Sequence, residues 1–341
     1  MSDQNKKTLL TTIDFPPQVG GVARYYFNLV SKNPEQFLVL TNNLKTGDSD
    51  QETNLKIIRK NLFTKYCWPH WLPIIFHLFQ VLKKENIKQV WVGQILPVGT
   101  AVFLISKIKK IEYFVTCHGN DLLRAKQNKR KFWLSGKILK NAEHIEAANE
   151  LTRDILTNDF GIKKEKINIV WPKLSLDKNN IDQQKILDIK NKFNLENKKV
   201  LLTVSRLVAS KNIDKVLNEF KNAVEQDDTW SYLIVGDGPE KENLREKISE
   251  LGLVEKVFLV GQVDPQEIVN YYQLADKFIL TPGENEAGDT ESFGIVFLEA
   301  KSFRLPIATT DFGGIAEAIG DYDLVTWIRE KNDIKKFINN I

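Results

Sequence analysis

Short apolar runs alternate along this chain with segments whose apolar residues recur every three or four positions. In the first half the runs at 8–13, 37–41, 56–59, 89–93, 112–117, 144–148 and 166–171 predict buried strands. Helical periodicity falls between them at 22–30, 73–85, 98–109 and 149–159. The second half repeats the scheme, with strands at 200–205, 232–235, 257–260, 277–280 and 306–309. Its helices are predicted at 213–225, 241–251 and 265–274, after Gly294, around Glu317, and at 331–341. Strand and helix in alternation imply parallel sheets wrapped by helices. A chain of 341 residues exceeds one hydrophobic core, so the expectation is two α/β domains, 1–172 and 173–341, with a linker near 173–198.

Charge separates the halves. Residues 1–174 hold 27 Lys and Arg against 15 Asp and Glu, and the remainder hold 21 against 29. The first half is therefore expected to meet an anionic surface. Ten basic residues lie in 106–140, interleaved with Phe132, Trp133, Ile138 and Leu139. Earlier, Phe63, Trp68, Trp71, Phe76 and Phe79 are flanked by Lys60, Lys65, Lys83 and Lys84. Basic residues beside Trp and Phe suit an anionic bilayer interface, whereas no nucleic-acid module is recognisable. No apolar run is long enough to span a membrane, and two cysteines form no disulfide framework. These features predict a cytoplasmic protein, peripheral on the inner face of the cytoplasmic membrane.

Candidate chemistry collects where predicted strands end. Gly20-Gly21 opens the first helix, as in turns that bring backbone N–H groups to a phosphate. His118 follows the strand 112–117 in the run His118-Gly119-Asn120-Asp121, where open α/β sheets bind ligands. In the second half Arg206 and Lys211 follow a strand, a placement that can clamp a diphosphate. Gly236-Asp237-Gly238 resembles a dinucleotide loop, but Lys241 stands where its third glycine belongs. Between 281 and 300 come a polar loop with Glu284, Glu286 and Asp289, then Glu291-Ser292-Phe293-Gly294, then an apolar helix carrying Glu299. A helix tip at Gly294 is a ready anion site with a carboxylate on either side. Asp321-Tyr322-Asp323 reads as a polar turn, so no metal site is expected.

In order and spacing, these motifs resemble the retaining GT-B glycosyltransferases of family 4, in the version typical of mannosyl- and related transferases. The resemblance covers nearly the whole chain: Gly20–Gly21, His118–Asp121, Ser205–Asn212, Val235–Leu244, Glu291 through Glu299, and Phe312–Ile319. It implies two Rossmann-like parallel-sheet domains facing a central cleft. It also implies hexosyl transfer from a nucleoside-diphosphate sugar to a lipid-linked, polysaccharide or lipopolysaccharide acceptor, with a lean to GDP-mannose over UDP-sugars. No cofactor or metal is implied; the nucleotide sugar is a substrate. Arg206 and Lys211 would hold the donor diphosphate, and Glu299 the ribose. Glu291 and the N–H groups around Phe293, Gly294 and Ile295 would grip the sugar and its phosphate. His118 would touch the donor sugar, Gly20–Gly21 would close over the phosphates, and the base would lie near Gly236 and Gly238. A hydrolase or phosphorylase on the same scaffold and a non-catalytic partner subunit are the rival readings. Three departures stand out: Trp171-Pro172 lacks the usual Asn-Gly, Arg304 stands where the family often has glycine, and only the last helix is left to cross back to the first domain.

Overall fold

The computed structural model describes residues 7–18, 20–44, 54–174, 176–283 and 291–339. The acidic run with Glu284, Glu286 and Asp289 lies outside the described residues. The chain divides into two compact units, Met1–Pro172 and Lys173–Ile341.

Seven strands make the first sheet: β1 (Thr8–Thr11), β2 (Phe37–Asn42), β3 (Lys56–Lys60), β4 (Gln89–Val92), β5 (Glu112–Cys117), β6 (Ile145–Ala147) and β7 (Ile167–Ile169). They run in the order β3-β2-β1-β4-β5-β6-β7, and every pairing is parallel. The central strand β1 is buried along its whole length, as a strand covered on both faces must be. Its side chains alternate between cores: Leu9 joins Leu38, Leu40 and Val90 on one face, and Leu10 joins Val39 and Tyr26 on the other.

The second sheet has six strands: β8 (Lys199–Val204), β9 (Trp230–Val235), β10 (Val257–Gly261), β11 (Lys277–Ile279), β12 (Ile307–Thr309) and β13 (Val325–Trp327). Their order is β10-β9-β8-β11-β12-β13, again all parallel. Helix Ile213–Val224 buries Ile213, Val216, Leu217, Phe220, Ala223 and Val224, one stripe at helical spacing. The chain thus has two parallel α/β units, the fold class expected from the pattern.

Several features depart from the sequence reading, among them the helices Asn120–Lys126 and Lys129–Asn141 between β5 and β6. Strand β13 was not anticipated, because three half-buried residues after a turn carry too little period-two signal to stand out. The last helix, Lys331–Asn339, is the segment that the sequence leaves for a crossing back to the first domain. Its apolar face belongs to the second unit: Ile334, Phe337 and Ile338 share a core with Val216 and Phe220. Lys277 Nζ fastens its end by donating to the Phe337 carbonyl at 2.7 Å.

Candidate active site

At the carboxyl edge of the second sheet, three loops are stitched together. Asn212 is held in the left-handed region and donates from Nδ2 to the Thr281 carbonyl at 2.9 Å. Gly283 N–H bonds to Ser210 O at 2.8 Å, and Gly314 N–H to Glu291 O at 2.8 Å. This stitching places Lys211, from the loop after β8, in an ion pair with Glu291, from the segment before the next helix. Both side chains are largely buried, which makes the pair directional and costly to break. Arg206 precedes Lys211 on the loop after β8, exposed and with no ion-pair partner among the described residues. Two hydroxyls at this edge, Ser205 Oγ and Thr281 Oγ1, are buried without a hydrogen-bond partner among the described residues. Buried polar atoms are nearly always satisfied, so orphans at a ligand edge point to a bound molecule.

Gly294 sits at φ 77°, ψ 65°, directly before helix Ile295–Ser302. A Cβ there would lie 2.5 Å from the Phe297 ring, so glycine is needed for conformation and for space. The turn aims the first N–H groups of the helix outward, where an anion is favoured. Phe293 is buried beneath the turn, and Ile295 begins the helix. Glu299 lies one turn further in, 1% exposed, with Oε2 accepting from Tyr272 Oη at 2.8 Å. The Gly236–Gly238 loop is pressed against the loop after β8. A Cβ on Gly236 would fall 1.9 Å from Ser205 O, and one on Gly238 2.2 Å from Leu207 O. Gly236 N–H also bonds to Gly261 O at 2.8 Å, joining this loop to the 260–262 turn. Arg206, Lys211, Gly236, Gly238, Gly294 and Glu299 therefore lie at or just behind one sheet edge.

The first unit has its own polar edge. Helix Gly21–Val30 starts at the Gly20–Gly21 turn and carries Tyr25 and Tyr26 into the fold. Tyr26 Oη donates to Gly93 O at 2.6 Å and lies 2.9 Å from His118 Nε2. Tyr25 stands edge-on to the same imidazole, with ring centroids 5.3 Å apart. The structure thus brings the helix that starts at the glycine turn and His118 into one cluster. Burial lowers the His118 pKa to about 4, so the ring is neutral at physiological pH. Asp121 accepts from the backbone N–H groups of Leu122 and His118, yet burial outweighs these bonds and raises it to about 6. Glu146, held by Thr116 Oγ1 at 2.7 Å, is also raised by burial. Gly20 and Gly21 leave open space: a Cβ on either meets nothing within 4 Å.

Sequence reasoning missed Tyr26, Tyr272 and the Lys211–Glu291 pairing. The two tyrosines look like ordinary helix core, and only their hydroxyl partners, far away in sequence, reveal another use. The first unit also holds a cavity of about 550 Å³ beyond β2 and β3, lined by Asn42, Asn43, Asn61, Phe63, Thr64 and His77 among others. Nearby stand exposed aromatic side chains, Trp68 at 86% and Phe76 at 60%. Lys109 Nζ lies 5.6 Å from the Phe79 ring centroid, and Lys137 Nζ 5.6 Å from that of Trp133. No helix among the described residues is long and apolar enough to cross a membrane.

Paired parallel-sheet units, the second bearing cations, a left-handed glycine and a helix tip at one edge, define the class of GT-B glycosyltransferases. The model of Glycosyltransferase Family 4 matches residues 19–177, and that of Glycosyl transferases group 1 matches residues 185–341. Together the two models cover most of the chain, which belongs to this family of GT-B glycosyltransferases. It is 23% identical over 322 residues to a GDP-mannose-dependent alpha-(1-6)-phosphatidylinositol monomannoside mannosyltransferase of Mycobacterium tuberculosis, covering 92% of this chain and 82% of the relative. An alpha-monoglucosyldiacylglycerol synthase of Streptococcus pneumoniae is 28% identical over 174 residues, 50% of this chain and 38% of that protein. Among solved structures, Anabaena Alr3699/HepE in complex with UDP and glucose superposes with a TM-score of 0.78 at 16% identity, over 98% of this chain and 89% of the other.

Proposed function

We propose that this glycosyltransferase moves a hexosyl group, with retention, from a nucleoside-diphosphate sugar to a lipid-linked or glycan acceptor. GDP-mannose is the favoured donor. The observation that carries the reading is the second-unit edge, with exposed Arg206, the Lys211–Glu291 pair and the Gly294 helix tip on stitched loops. Negative charge grows on the leaving diphosphate as the glycosidic bond breaks. Arg206, Lys211 and the helix N–H groups are the groups suited to stabilise it, so no metal is required by the reading. Glu291 positions Lys211 and the sugar, and buried Glu299 meets the ribose hydroxyls as a carboxylate acceptor. The leaving phosphate takes the acceptor proton on the same face. His118 meets a hydroxyl of the donor sugar, and Gly20–Gly21 leave room for its phosphates.

The acceptor belongs to the first unit in this reading. Amide-lined and aromatic-edged, the 550 Å³ cavity suits a hydroxyl-rich head group. The lysine and aromatic face beside it suits an anionic bilayer, with lipopolysaccharide-type or phospholipid-linked acceptors. The mannosyltransferase and glucosyldiacylglycerol synthase relatives, whose names carry lipid acceptors, favour the same choice. A thermal-shift panel of GDP-, UDP- and ADP-sugars tests the donor: the right one at 100 times its Kd adds about 2.7 kcal/mol. Absence of a shift with every nucleotide sugar, together with no turnover, would favour the non-catalytic partner reading. Flotation with anionic liposomes at low salt tests the membrane face, and a protein left at the bottom of the gradient removes it.

A further inference from the structure

We infer that Tyr26 is a positioning residue that fixes His118 in one tautomer, Nε2–H, so that Nδ1 is presented as a hydrogen-bond acceptor to a substrate hydroxyl. The argument is a count of protons. A tyrosine hydroxyl has one hydrogen to donate. Tyr26 Oη lies 2.6 Å from the carbonyl oxygen of Gly93, which can only accept. The hydrogen must lie there, since two oxygens that close without one would repel. Oη is also 2.9 Å from His118 Nε2, and the only hydrogen left for that contact is one on Nε2. The ring therefore donates to Tyr26, and a neutral ring that donates from Nε2 carries a lone pair on Nδ1.

The surroundings make this choice firm. Tyr26 is fully buried and locked edge-on between Trp91 and His118, with centroids 5.5 and 5.6 Å away, so its hydroxyl cannot swing to another partner. Among the described residues nothing donates to Nδ1. Two neighbouring polar atoms share that condition: Tyr25 Oη and Asp121 Oδ2 are buried without hydrogen-bond partners among the described residues. A ring lone pair and a tyrosine hydroxyl within one cluster are what a sugar hydroxyl, donor and acceptor at once, would satisfy. The inference rests on the proposed contact between His118 and the donor sugar, but its first test does not.

That test is a long-range proton–nitrogen NMR spectrum of the ¹⁵N-histidine protein at neutral pH, without substrate. The chain has four histidines, and the signal lost in H118N identifies the one in question. The expected pattern is a neutral ring protonated on Nε2; a ring protonated on Nδ1, or on both nitrogens, overturns the inference whatever the activity. In Y26F, checked as folded by circular dichroism, the pattern should shift toward a mixture of tautomers, and an unchanged pattern would show that Tyr26 does not set it. Kinetics with GDP-mannose supply the second arm. Y26F should lower kcat about tenfold with little change in KM, and H118N, whose amide reaches the Nδ1 position, should retain more activity than H118Q. An Nε2–H ring with Y26F and H118Q at wild-type turnover would leave the tautomer standing and overturn both the role of Tyr26 in turnover and the contact between His118 and the sugar.

Discussion

At the carboxyl edge of the first sheet, charge is suppressed. His118 is held neutral, Asp121 and Glu146 are pushed toward their protonated forms, and two buried tyrosines close the cluster. At the corresponding edge of the second sheet, charge is kept. Arg206 is exposed, Lys211 is paired with Glu291, and the Gly294 turn adds the positive end of a helix. Both edges grow from the same plan of parallel strand, glycine turn and helix. The difference lies in solvent and partners: burial lowers the pKa of His118 and raises those of Asp121 and Glu146, whereas at the second edge Lys211 and Glu291 meet as an ion pair. An edge where burial disfavours charge is suited to hydroxyls and one that presents cations to phosphates, which is the division a sugar-nucleotide reaction needs.

The sharpest way to break this contrast is to remove the cations. Arg206→Ala and Lys211→Ala should each reduce turnover by about ten- to a thousandfold, the scale of losing one donor to a developing oxyanion. The K211A loss should exceed that of R206A, because it also leaves Glu291 largely buried without its ion-pair partner. Near-normal turnover in both would mean that the charged edge does not handle the leaving group. Turnover that survives excess chelator belongs to the same expectation, and a strict requirement for a divalent ion would reassign the work of these cations.

The glycines extend the contrast from charge to space. Gly238→Ala should destabilise the second unit by roughly 3 kcal/mol or more, since the new methyl would meet the backbone of Leu207 rather than a side chain that can move. Gly21→Ala meets nothing and sits at the start of a helix, so it should leave stability unchanged or raise it by about 0.5 kcal/mol. Its effect should be on donor KM alone. Urea midpoints and donor kinetics on the two variants separate the cases, and a G21A protein with wild-type KM would withdraw the phosphates from that turn.

Much of this was legible in the sequence, and the reasons for the remainder are specific. Alternating runs such as Thr8–Thr11 and Trp230–Val235 announce both sheets, because strands buried on both faces read as continuous apolar stretches. The second-unit candidates were legible because Arg206, Lys211, Gly294 and Glu299 each break the local pattern. Pairings between distant loops were not, since nothing in residues 205–212 names Glu291, and nothing in a helical Tyr-Tyr dipeptide names Gly93. The last helix misled because its apolar stripe shows only that it packs, not on which unit.

A quieter test asks whether the first edge really holds His118 neutral. An unfolded His118 takes up a proton below about pH 6.5, while the folded ring refuses it until about 4, so this residue makes stability rise with pH across that window. Asp121 acts oppositely: folded, it keeps its proton up to about pH 6, while unfolded it releases it near 3.8, so its contribution falls as pH rises. Between pH 4 and 6 the two cancel. H118N removes one partner, and its unfolding free energy relative to wild type should fall by up to about 1.4 kcal/mol per pH unit on going from pH 4 to 6. A difference that does not vary with pH would show that His118 titrates normally in the folded protein.

The smallest expected effect lies away from either edge, at Arg304. The residue ends helix Ile295–Ser302 at φ 55°, with its N–H bonded to Lys301 O at 2.9 Å and that of Leu305 to Ala300 O at 3.2 Å. This is a helix stop that favours glycine, and the chain makes it with a side chain bearing a Cβ, at a cost of about 1 kcal/mol. The family resemblance puts glycine here, and the backbone retains the shape that glycine would adopt without strain. Arg304→Gly should therefore raise the unfolding free energy read from a urea titration, by no more than about 0.5 kcal/mol after the greater freedom of glycine in the unfolded chain is counted. Donor turnover should stay at the wild-type level, because the helix tip proposed to meet the donor phosphate is at the other end. A drop in turnover with unchanged stability would mean that Arg304 itself meets a substrate, and the charged edge would then reach further than Arg206 and Lys211.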